Sequence, residues 1–298
     1  MKKKDLTRRN MLGLMAAGGA GLGTLSFGRA PALAQAGSGL LARVQKEGVI
    51  KIGLTNGLPY SIMNPDGTLD GVAPTLVKAV MARLGVPKVE GVVATYGQLI
   101  PGLLANRWDM VGADMTITSE RCAQVAYCDP FTVDYAAWVY LPGTYKDPPK
   151  TLKEIGARKT KLAMLAGSYN LKLIQSMYEK PDDYIQIYPD TPAIFEAITA
   201  KRVEIGCTGG RNVKMVVAQK PGSFEYLYPA PDDMTSAASA AFKVGDTDLR
   251  AAFRAEFQKM KASGEWRKII ESFGFEVFPG KENVTAEQAC AGAVPVGH

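Results

Sequence analysis

The chain has 298 residues, 47% of them hydrophobic, which is enough apolar material for two domains or one large one and excludes a disordered or low-complexity protein. The formal net charge of +6 comes largely from residues 1–34, which hold six of the 35 Lys and Arg and one of the 29 Asp and Glu. The other 29 basic and 28 acidic residues leave a charge of +1, so the basic pI gives no reason to expect nucleic acid as a partner.

Residues 1–34 have the pattern of a cleaved export signal. A basic start with the pair Arg8-Arg9, a weakly apolar middle and the small-residue run Ala32-Leu33-Ala34 favour the twin-arginine route, with cleavage after Ala34 or Ala36. A membrane anchor is the competing interpretation, but the middle is rich in glycine and the cleavage pattern follows it at once. No later stretch is apolar enough to span a bilayer, so we expect a mature protein that is soluble in the periplasm.

The four cysteines argue against a metal centre or a thiol nucleophile. Cys122, Cys128, Cys207 and Cys290 include no Cys-x-x-Cys pair, and the single histidine is His298. A zinc site or a Cys-His or Ser-His nucleophile is therefore not expected, because the partner base is missing. Cys122 and Cys128 either pair or remain ordinary buried thiols, and we favour the thiols.

In chain order, the first part alternates short apolar strands with amphipathic helices. The pattern predicts helices at 40–47, 74–84 and 98–106, and strands at 49–54, 89–94 and 109–113. This alternation predicts a mostly parallel sheet covered by helices, in which ligands bind at the carboxyl ends of the strands. The loop Asn56–Tyr60, Tyr96 and the stretch Gly112–Arg121 should meet there.

A second strand and helix series follows a Pro- and Gly-rich break at 142–149. It predicts strands at 161–165, 184–188 and 203–207, a return crossing at 237–243, and helices at 246–260 and 265–273. We expect an α/β fold with two lobes and a cleft that closes by hinge bending. The predicted first lobe is 40–137 with 240–276, the second lobe is 141–236, and 277–298 is a flexible tail.

The stretch Gly112–Arg121 combines small and hydroxyl-bearing residues with a guanidinium. An arginine fork matches a carboxylate with two parallel hydrogen bonds, so the stretch is a candidate carboxylate clamp. The same residues are also typical of an ordinary helix start, with Thr118 or Ser119 as N-cap and Glu120 in the first turn. The loop 167–170 also has two interpretations. It is either a helix start that binds an anion or a simple cap and turn.

Three motifs carry a resemblance to a known family: 115–121 (MTITSER), 97–103 (GQLIPGL) and the end pattern 264–275. On these the chain resembles the periplasmic amino-acid-type substrate-binding proteins of ABC transporters, solute-binding family 3, from about Gly48 to Phe275. Within the family, 86–92 (VPKVEGV) and 245–249 (GDTDL) are most similar to the ectoine and hydroxyectoine binders. The resemblance implies a two-lobed type II periplasmic-binding-protein fold with two hinge crossings, no cofactor, and a monomer that delivers a small ligand to a membrane permease.

The resemblance also implies roles for particular residues. Arg121 should bind the ligand carboxylate, helped by Thr116 and by donors at Ser168 and Tyr169. Tyr60 and Tyr96 stand where family aromatics face the ligand, although core packing is the alternative for any tyrosine. The predicted ligand-binding set is Asn56, Tyr60, Tyr96, Asp114, Met115, Thr116, Arg121, Ser168, Tyr169 and Gly209.

Three departures from the family pattern concern the cationic end of the ligand. Amino-acid binders carry an Asp just after the strand at 203–207, where this chain has Thr208-Gly209. Ectoine binders carry a Glu where this chain has Gly57, and an aromatic where it has Thr116. Asp114 is the candidate replacement, because a ligand cation in a desolvated cleft needs a partner, but it could also be a solvent-facing residue at a strand end. A quaternary or delocalised cation held by the tyrosines is the other solution.

We therefore expect an exported receptor of an ABC importer that binds a carboxylate-bearing zwitterion, such as an amino acid, ectoine or a betaine- or proline-like solute, without turnover. A cyclohexadienyl-dehydratase-like enzyme on the same scaffold is the alternative. It would need Asp114 or Glu120 as general acid, and the sequence shows no second facing carboxylate. A sensory binder would share the same cleft, and the sequence does not separate it from a transport receptor.

Overall fold

The computed structural model describes residues 39–230 and 235–292. The expected export signal at residues 1–34 and its cleavage site lie outside this range. Within it, no helix is both long enough and apolar enough to cross a membrane.

The first part of the chain runs through eleven helices and strands. They are α1 (Leu40–Glu47), β1 (Val49–Leu54), β2 (Ile62–Met63), β3 (Leu69–Asp70), α2 (Val72–Arg83), β4 (Lys88–Val93), α3 (Tyr96–Leu104), β5 (Met110–Thr116), α4 (Ser119–Cys122), β6 (Ala126–Tyr127) and β7 (Thr132–Tyr140).

The second part begins after the predicted break. It comprises α5 (Leu152–Ala157), β8 (Leu162–Leu165), α6 (Leu171–Gln175), α7 (Pro181–Tyr184), β9 (Ile185–Tyr188), α8 (Thr191–Thr199), β10 (Ile205–Gly209), α9 (Gly210–Gln219), β11 (Glu225–Leu227), β12 (Thr235–Phe242), α10 (Thr247–Ala262), α11 (Glu265–Ser272) and α12 (Ala286–Cys290).

The main sheet has two parallel halves joined by two antiparallel strands. The strand order is β4-β1-β5-β12-β7-β10-β8-β9. β1 is parallel to β4 and β5, and β8 is parallel to β9 and β10. β7 pairs with β12 over residues 132–135 and with β10 over residues 136–139, so this strand passes from one half of the sheet to the other. The predicted two-lobed α/β fold is confirmed, and the exact lobe boundaries stay a prediction.

Each half of the sheet has its own apolar core. In the first half, Trp108, Phe242 and Phe253 lie in one cluster with the strands and α2. In the second half, Trp138 and Val139 belong to clusters on opposite faces, because successive side chains of a strand alternate. Two separately packed halves joined by β7 and β12 are the arrangement that hinge bending requires.

Two helix boundaries in the first half follow from local sequence. α1 stops at Gly48, which takes the left-handed conformation at φ 67° that glycine adopts without steric cost. α3 begins at Tyr96, two residues before the expected start, because Gln98 accepts a hydrogen bond from the Thr95 N–H at 3.1 Å and completes a capping box. Tyr96 is therefore fixed in the first turn of a helix.

The expected flexible tail is wrong for residues 277–292. They form α12 with its own capping box, and Val284, Ala286 and Ala289 are buried. The preference for a free thiol is also wrong for Cys122, which forms a disulfide with Cys290 across a sequence separation of 168 residues. Both errors have one cause, because the contacts that order this segment are distant in sequence and leave no local pattern. Cys128 and Cys207 are buried free thiols.

Candidate functional site

A cavity lies at the carboxyl ends of the strands, between the two halves of the sheet. It encloses about 80 Å³, measured as space for the centres of water molecules. One water needs roughly 10–15 Å³ on this measure, so the cavity suits a small solute and not a peptide. The first half contributes the loop after β1, Tyr96 and the end of β5, which are the three segments expected to converge. The second half contributes 165–170, 189–191 and 207–212.

Arg121 reaches the cavity from α4. The Thr118 hydroxyl accepts the Arg121 N–H at 3.2 Å, so Thr118 is the N-cap and the stretch is both a helix start and a cavity wall. The guanidinium donates to the Thr116 carbonyl at 2.7 Å and to the Gly167 carbonyl at 2.8 Å. A guanidinium has five N–H donors, so these two bonds orient the fork and leave others for a ligand. The clamp thus bridges the two halves of the sheet.

Asp114 presents a buried carboxylate to the same cavity. Its side chain is buried, and Oδ2 accepts the Thr132 hydroxyl at 2.6 Å. Oδ1 has no hydrogen-bond partner among the described residues. Burial raises the pKa of this carboxyl to about 7, the Thr132 bond opposes the rise, and the nearby charge of Asp134 adds to it. The solvent-facing interpretation of Asp114 is therefore wrong, and its lone oxygen is suited to receive a donor from a ligand.

Tyr60 is held by an acid that the sequence analysis did not single out. Asp134, on β7, accepts the Tyr60 hydroxyl at 2.7 Å, the Tyr228 hydroxyl at 2.8 Å and the Arg211 backbone N–H at 3.3 Å. Burial raises the pKa of Asp134, and burial together with Asp134 raises the pKa of Tyr60. The network holds Tyr60, which belongs to the first half of the sheet, against Asp134 on β7 and against Arg211 and Tyr228 of the second half.

Gly209 makes this position of Tyr60 possible. A Cβ at residue 209 would lie 2.2 Å from the Tyr60 hydroxyl oxygen, so any side chain there would displace the phenol. The Tyr60 phenol occupies the space that a side chain at residue 209 would need, and Asp134 accepts a hydrogen bond from that phenol.

Tyr96 lines the same cavity as Asp114 and Arg121. Burial raises the pKa of Tyr96, a hydrogen bond with Thr55 opposes the rise, the charge of Asp114 adds to it and the charge of Arg121 reduces it. The phenol is therefore within electrostatic reach of both Asp114 and Arg121.

Ser168 adds a second polar atom without a partner. Its hydroxyl is buried and makes no hydrogen bond to the described residues, and the side chain lines the cavity beside Tyr169. Buried polar groups are normally paired, so an acceptor at Asp114 and a hydroxyl at Ser168 together indicate a site for a polar ligand. No cluster of three His, Cys, Asp or Glu that could hold a metal occurs in 39–230 and 235–292.

The structure brings nine of the ten predicted residues to the cavity. They are Asn56, Tyr60, Tyr96, Asp114, Thr116, Arg121, Ser168, Tyr169 and Gly209. Met115 is the exception: it is fully buried in the core of the first half, because strand alternation turns it away from the face shared by Asp114 and Thr116.

Several cavity residues were missed. They include Thr55, Thr132, Tyr135, Asn170, Thr191, Asn212 and Ser236. Asp134, behind Tyr60, was missed as well. A charged residue within the apolar run of β7 was the one available signal, since an unpaired acid is rarely placed in a buried strand.

The two sides of the cavity touch each other, so the cleft is closed. Lys172 donates to Glu120 at 2.7 Å, and the Asn212 amide donates to the Leu58 carbonyl. Gly167, at φ 72°, lies so close to Gly97 that a Cβ would meet its nitrogen at 2.3 Å. The exposed ion pair adds little energy, so closure rests mainly on the contacts at Leu58 with Asn212 and at Gly97 with Gly167.

Comparison with known proteins agrees with this geometry. Residues 50–276 match the bacterial extracellular solute-binding proteins, family 3. The chain is 26% identical over 268 residues to a probable amino-acid ABC transporter periplasmic-binding protein of Sinorhizobium fredii, covering 86% of this chain and 87% of the relative. It is 22% identical over 237 residues to the L-arginine-binding protein of Pseudomonas aeruginosa, covering 77% and 89%.

Among solved structures, the complex of EhuB with hydroxyectoine superposes with a TM-score of 0.79 at 30% identity, covering 84% of this chain and 97% of EhuB. The arginine-binding protein ArgBP of T. maritima, as its P235GK mutant, has the same fold, with a TM-score of 0.70 at 22% identity and coverage of 78% and 98%. The resemblance inferred from the sequence motifs is confirmed. The chain belongs to the bacterial extracellular solute-binding proteins of family 3.

Proposed function

We propose that this protein is the periplasmic receptor of an ABC importer and that it closes around a small zwitterion bearing a carboxylate. The observation that carries the proposal is a cavity that holds a guanidinium, Arg121, together with a buried carboxyl group, Asp114, whose Oδ1 has no hydrogen-bond partner among the described residues. Opposite charges held apart in one cavity match a ligand with opposite charges at its two ends. The family and the relatives named as ABC transporter binding proteins support a transport role.

The ligand carboxylate is placed at Arg121. The guanidinium fork offers paired donors, and the unpartnered Ser168 hydroxyl lies on the same cavity wall. Hydrogen bonds between ionised groups are about twice as strong as neutral ones. The carboxylate therefore supplies much of the binding energy and fixes the orientation of the ligand.

The ligand cation is placed at Asp114, beside the ring of Tyr96. An orphan carboxylate oxygen is satisfied by an N–H donor and not by a quaternary ammonium, so a cation that carries N–H groups is favoured over a betaine. The space near Gly209, where the family resemblance would place an acid for a primary ammonium, is filled by Tyr60. Together these contacts favour a cyclic cation of the ectoine type, which agrees with hydroxyectoine in the EhuB complex.

Location and partner follow from the relatives. The curated relatives are periplasmic binding proteins, which supports a periplasmic location and a membrane permease as partner. The twin-arginine route stays a prediction, because residues 1–34 lie outside the described range.

Calorimetry with a panel of solutes tests the proposal. We expect one-to-one binding, tightest for ectoine and hydroxyectoine, weaker for proline, and weakest for glycine betaine and common amino acids. Arg121→Ala should weaken binding by about 30-fold or more, since loss of one partner of a buried charge pair costs about 2–5 kcal/mol. The exposed Arg107→Ala removes the same charge elsewhere and should change nothing. No heat from any carboxylate-bearing solute would reject the receptor proposal.

One observation favours the enzyme alternative. A buried carboxyl whose pKa is raised to about 7, as at Asp114, is also suited to donate a proton. A dehydratase would convert prephenate or arogenate to an aromatic product, which absorbance or chromatography detects. Product formation that Asp114→Asn abolishes would favour the enzyme, whereas binding without turnover supports the receptor.

A further inference from the structure

The C-terminal segment, defined here as residues 277–292, lies beyond the family match and has no part in the proposed function so far. The family match ends at residue 276. The segment is nevertheless folded, with α12 started by a capping box and with Val284, Ala286 and Ala289 buried. The segment is therefore an ordered part of the structure whose contacts with the cleft can be followed residue by residue.

One end of the segment is fastened to the helix that carries the clamp. Cys290 forms the disulfide with Cys122, and its carbonyl accepts the Ser119 hydroxyl at 2.8 Å. Arg121 lies between these two attachment points on α4. A helix of four residues has too few hydrogen bonds to be stable alone, so its place depends on contacts of this kind.

The segment is itself anchored to the body of the protein. The Glu287 carboxylate accepts hydrogen bonds from both Arg254 Nη atoms, at 2.7 and 3.0 Å. These contacts with Arg254 hold the pKa of Glu287 well below its usual range. Arg254 also pairs with the buried Asp129, which in turn accepts the Ala286 N–H at 3.1 Å. A two-pronged pair with fixed geometry makes α12 a firm support for the disulfide.

The other end of the segment reaches the cavity wall. Lys281 is only 5% exposed, and its ammonium donates to the Tyr135 hydroxyl at 2.7 Å. It also lies over the rings of Tyr135 and Phe278, 4.8 and 5.6 Å from their centroids. No carboxylate of residues 39–230 or 235–292 lies within ion-pair distance of it. Tyr135 lines the cavity from β7, at the point where the strand passes between the halves of the sheet.

We propose that the C-terminal segment positions the ligand site: the Cys122–Cys290 disulfide holds α4 so that Arg121 faces the ligand carboxylate, and Lys281 holds Tyr135 against the cavity. This inference rests on the proposed function, in which Arg121 binds a carboxylate. No residue of the segment is among those that line the cavity. Its effect on affinity is exerted through Arg121 and Tyr135.

The double variant Cys122→Ser with Cys290→Ser tests the disulfide. Its loss also lowers stability, so binding is measured at a temperature where circular dichroism shows a fully folded protein. The readout is the ratio of affinities for ectoine and for ectoine amide, which lacks the carboxylate. We expect the ratio to fall by about three- to tenfold, a part of the full value of a charge-assisted pair. An unchanged ratio in a less stable protein would give the disulfide a purely structural role. That result would overturn the proposal that the disulfide positions Arg121.

Reduction of the wild-type disulfide is the matched control. A phosphine reductant should reproduce the fall in the ratio in the wild type and have no effect on the double variant. Amide hydrogen exchange at 119–123 should become faster in both reduced and double-variant proteins. Unchanged exchange would mean that the segment does not hold α4.

Lys281→Met, measured alone and in a Tyr135→Phe background, tests the other end. We expect about a threefold loss of ectoine affinity alone and no further loss when the Tyr135 hydroxyl is absent. Equal losses in both backgrounds would show that Lys281 does not act through that hydroxyl. If the wild type binds no solute of the panel, the proposed function fails, and hydrogen exchange still decides whether the segment holds α4.

Discussion

Replacement of Asp114 by asparagine should remove a pH dependence of ligand binding. In the closed cleft without ligand the pKa of Asp114 is raised to about 7, chiefly by burial. A bound cation favours the ionised carboxylate and lowers that pKa, so binding releases a proton whenever Asp114 starts protonated. Affinity should therefore rise with pH until about pH 7 and then level off. Below that pH it should fall about tenfold per pH unit, reaching roughly a 100-fold loss near pH 5.

The same residue should oppose stability in the ligand-free protein. The unfolded chain ionises Asp114 near 3.8, whereas the folded chain keeps the proton until about 7. The folded state binds more protons between these values, so stability is fully present below about pH 4 and is lost as pH rises toward 7. At about 1.4 kcal/mol per pH unit the loss is roughly 4 kcal/mol at most. Asp114→Asn should thus stabilise the ligand-free protein at neutral pH while it weakens binding.

Calorimetry from about pH 5 to 8.5, in two buffers of different ionisation enthalpy, measures both the affinity and the released proton. Thermal unfolding over the same range measures stability. Asp182→Asn removes an exposed carboxylate and serves as the matched control. Asp134, whose pKa is also raised by burial, remains in the variant and would keep any pH dependence that belongs to it.

The reasoning is refuted if wild-type affinity is flat across this range, or if Asp114→Asn keeps the wild-type slope. An unchanged affinity in the asparagine variant at neutral pH would remove Asp114 from the ligand contacts. The proposed contact between Arg121 and the ligand carboxylate does not depend on that result.

Substitutions at three positions probe the rest of the cavity. Arg121→Lys keeps the charge but loses the planar fork, so calorimetry should show about a tenfold or greater loss of ectoine affinity; equal affinity would exclude a two-pronged contact. Gly209→Ala places a Cβ 2.2 Å from the Tyr60 hydroxyl and should weaken binding by displacing the phenol, whereas Gly245→Ala, in open space, should be silent. Tyr96→Phe should stay within about threefold of wild type, and Tyr96→Leu should lose about 0.5–2 kcal/mol of cation–π attraction, so similar losses in both would argue against a ring contact.

Local patterns predicted the succession of helices and strands. Apolar runs separated by glycine and capping residues place β1 and α1, and the cap at Thr118 is visible in the order of residues that follows β5. These features depend on neighbours a few residues apart, so the sequence contains them directly. The position of Arg121 at the end of a parallel strand follows from the same reasoning, since such ends line the cleft.

Local patterns did not predict which side chains of β5 face the cavity. Six of its seven residues are buried, because the strand is covered on both sides, and its sequence shows no alternation between apolar and polar positions. Met115 was therefore grouped with Asp114 and Thr116, although it faces the opposite core. Only the packed sheet decides which side chains face the cavity.

The sequence by itself determined the βα order, and it singled out Arg121 and Asp114 as candidate site residues with a structural alternative for each. The tertiary structure alone decided the Tyr60–Asp134 pair, across 74 residues, and the Cys122–Cys290 bond, across 168. The physical reason is one of distance along the chain: capping and periodicity act within a turn or a strand, whereas these contacts form only when the halves of the sheet and the C-terminal segment are packed together.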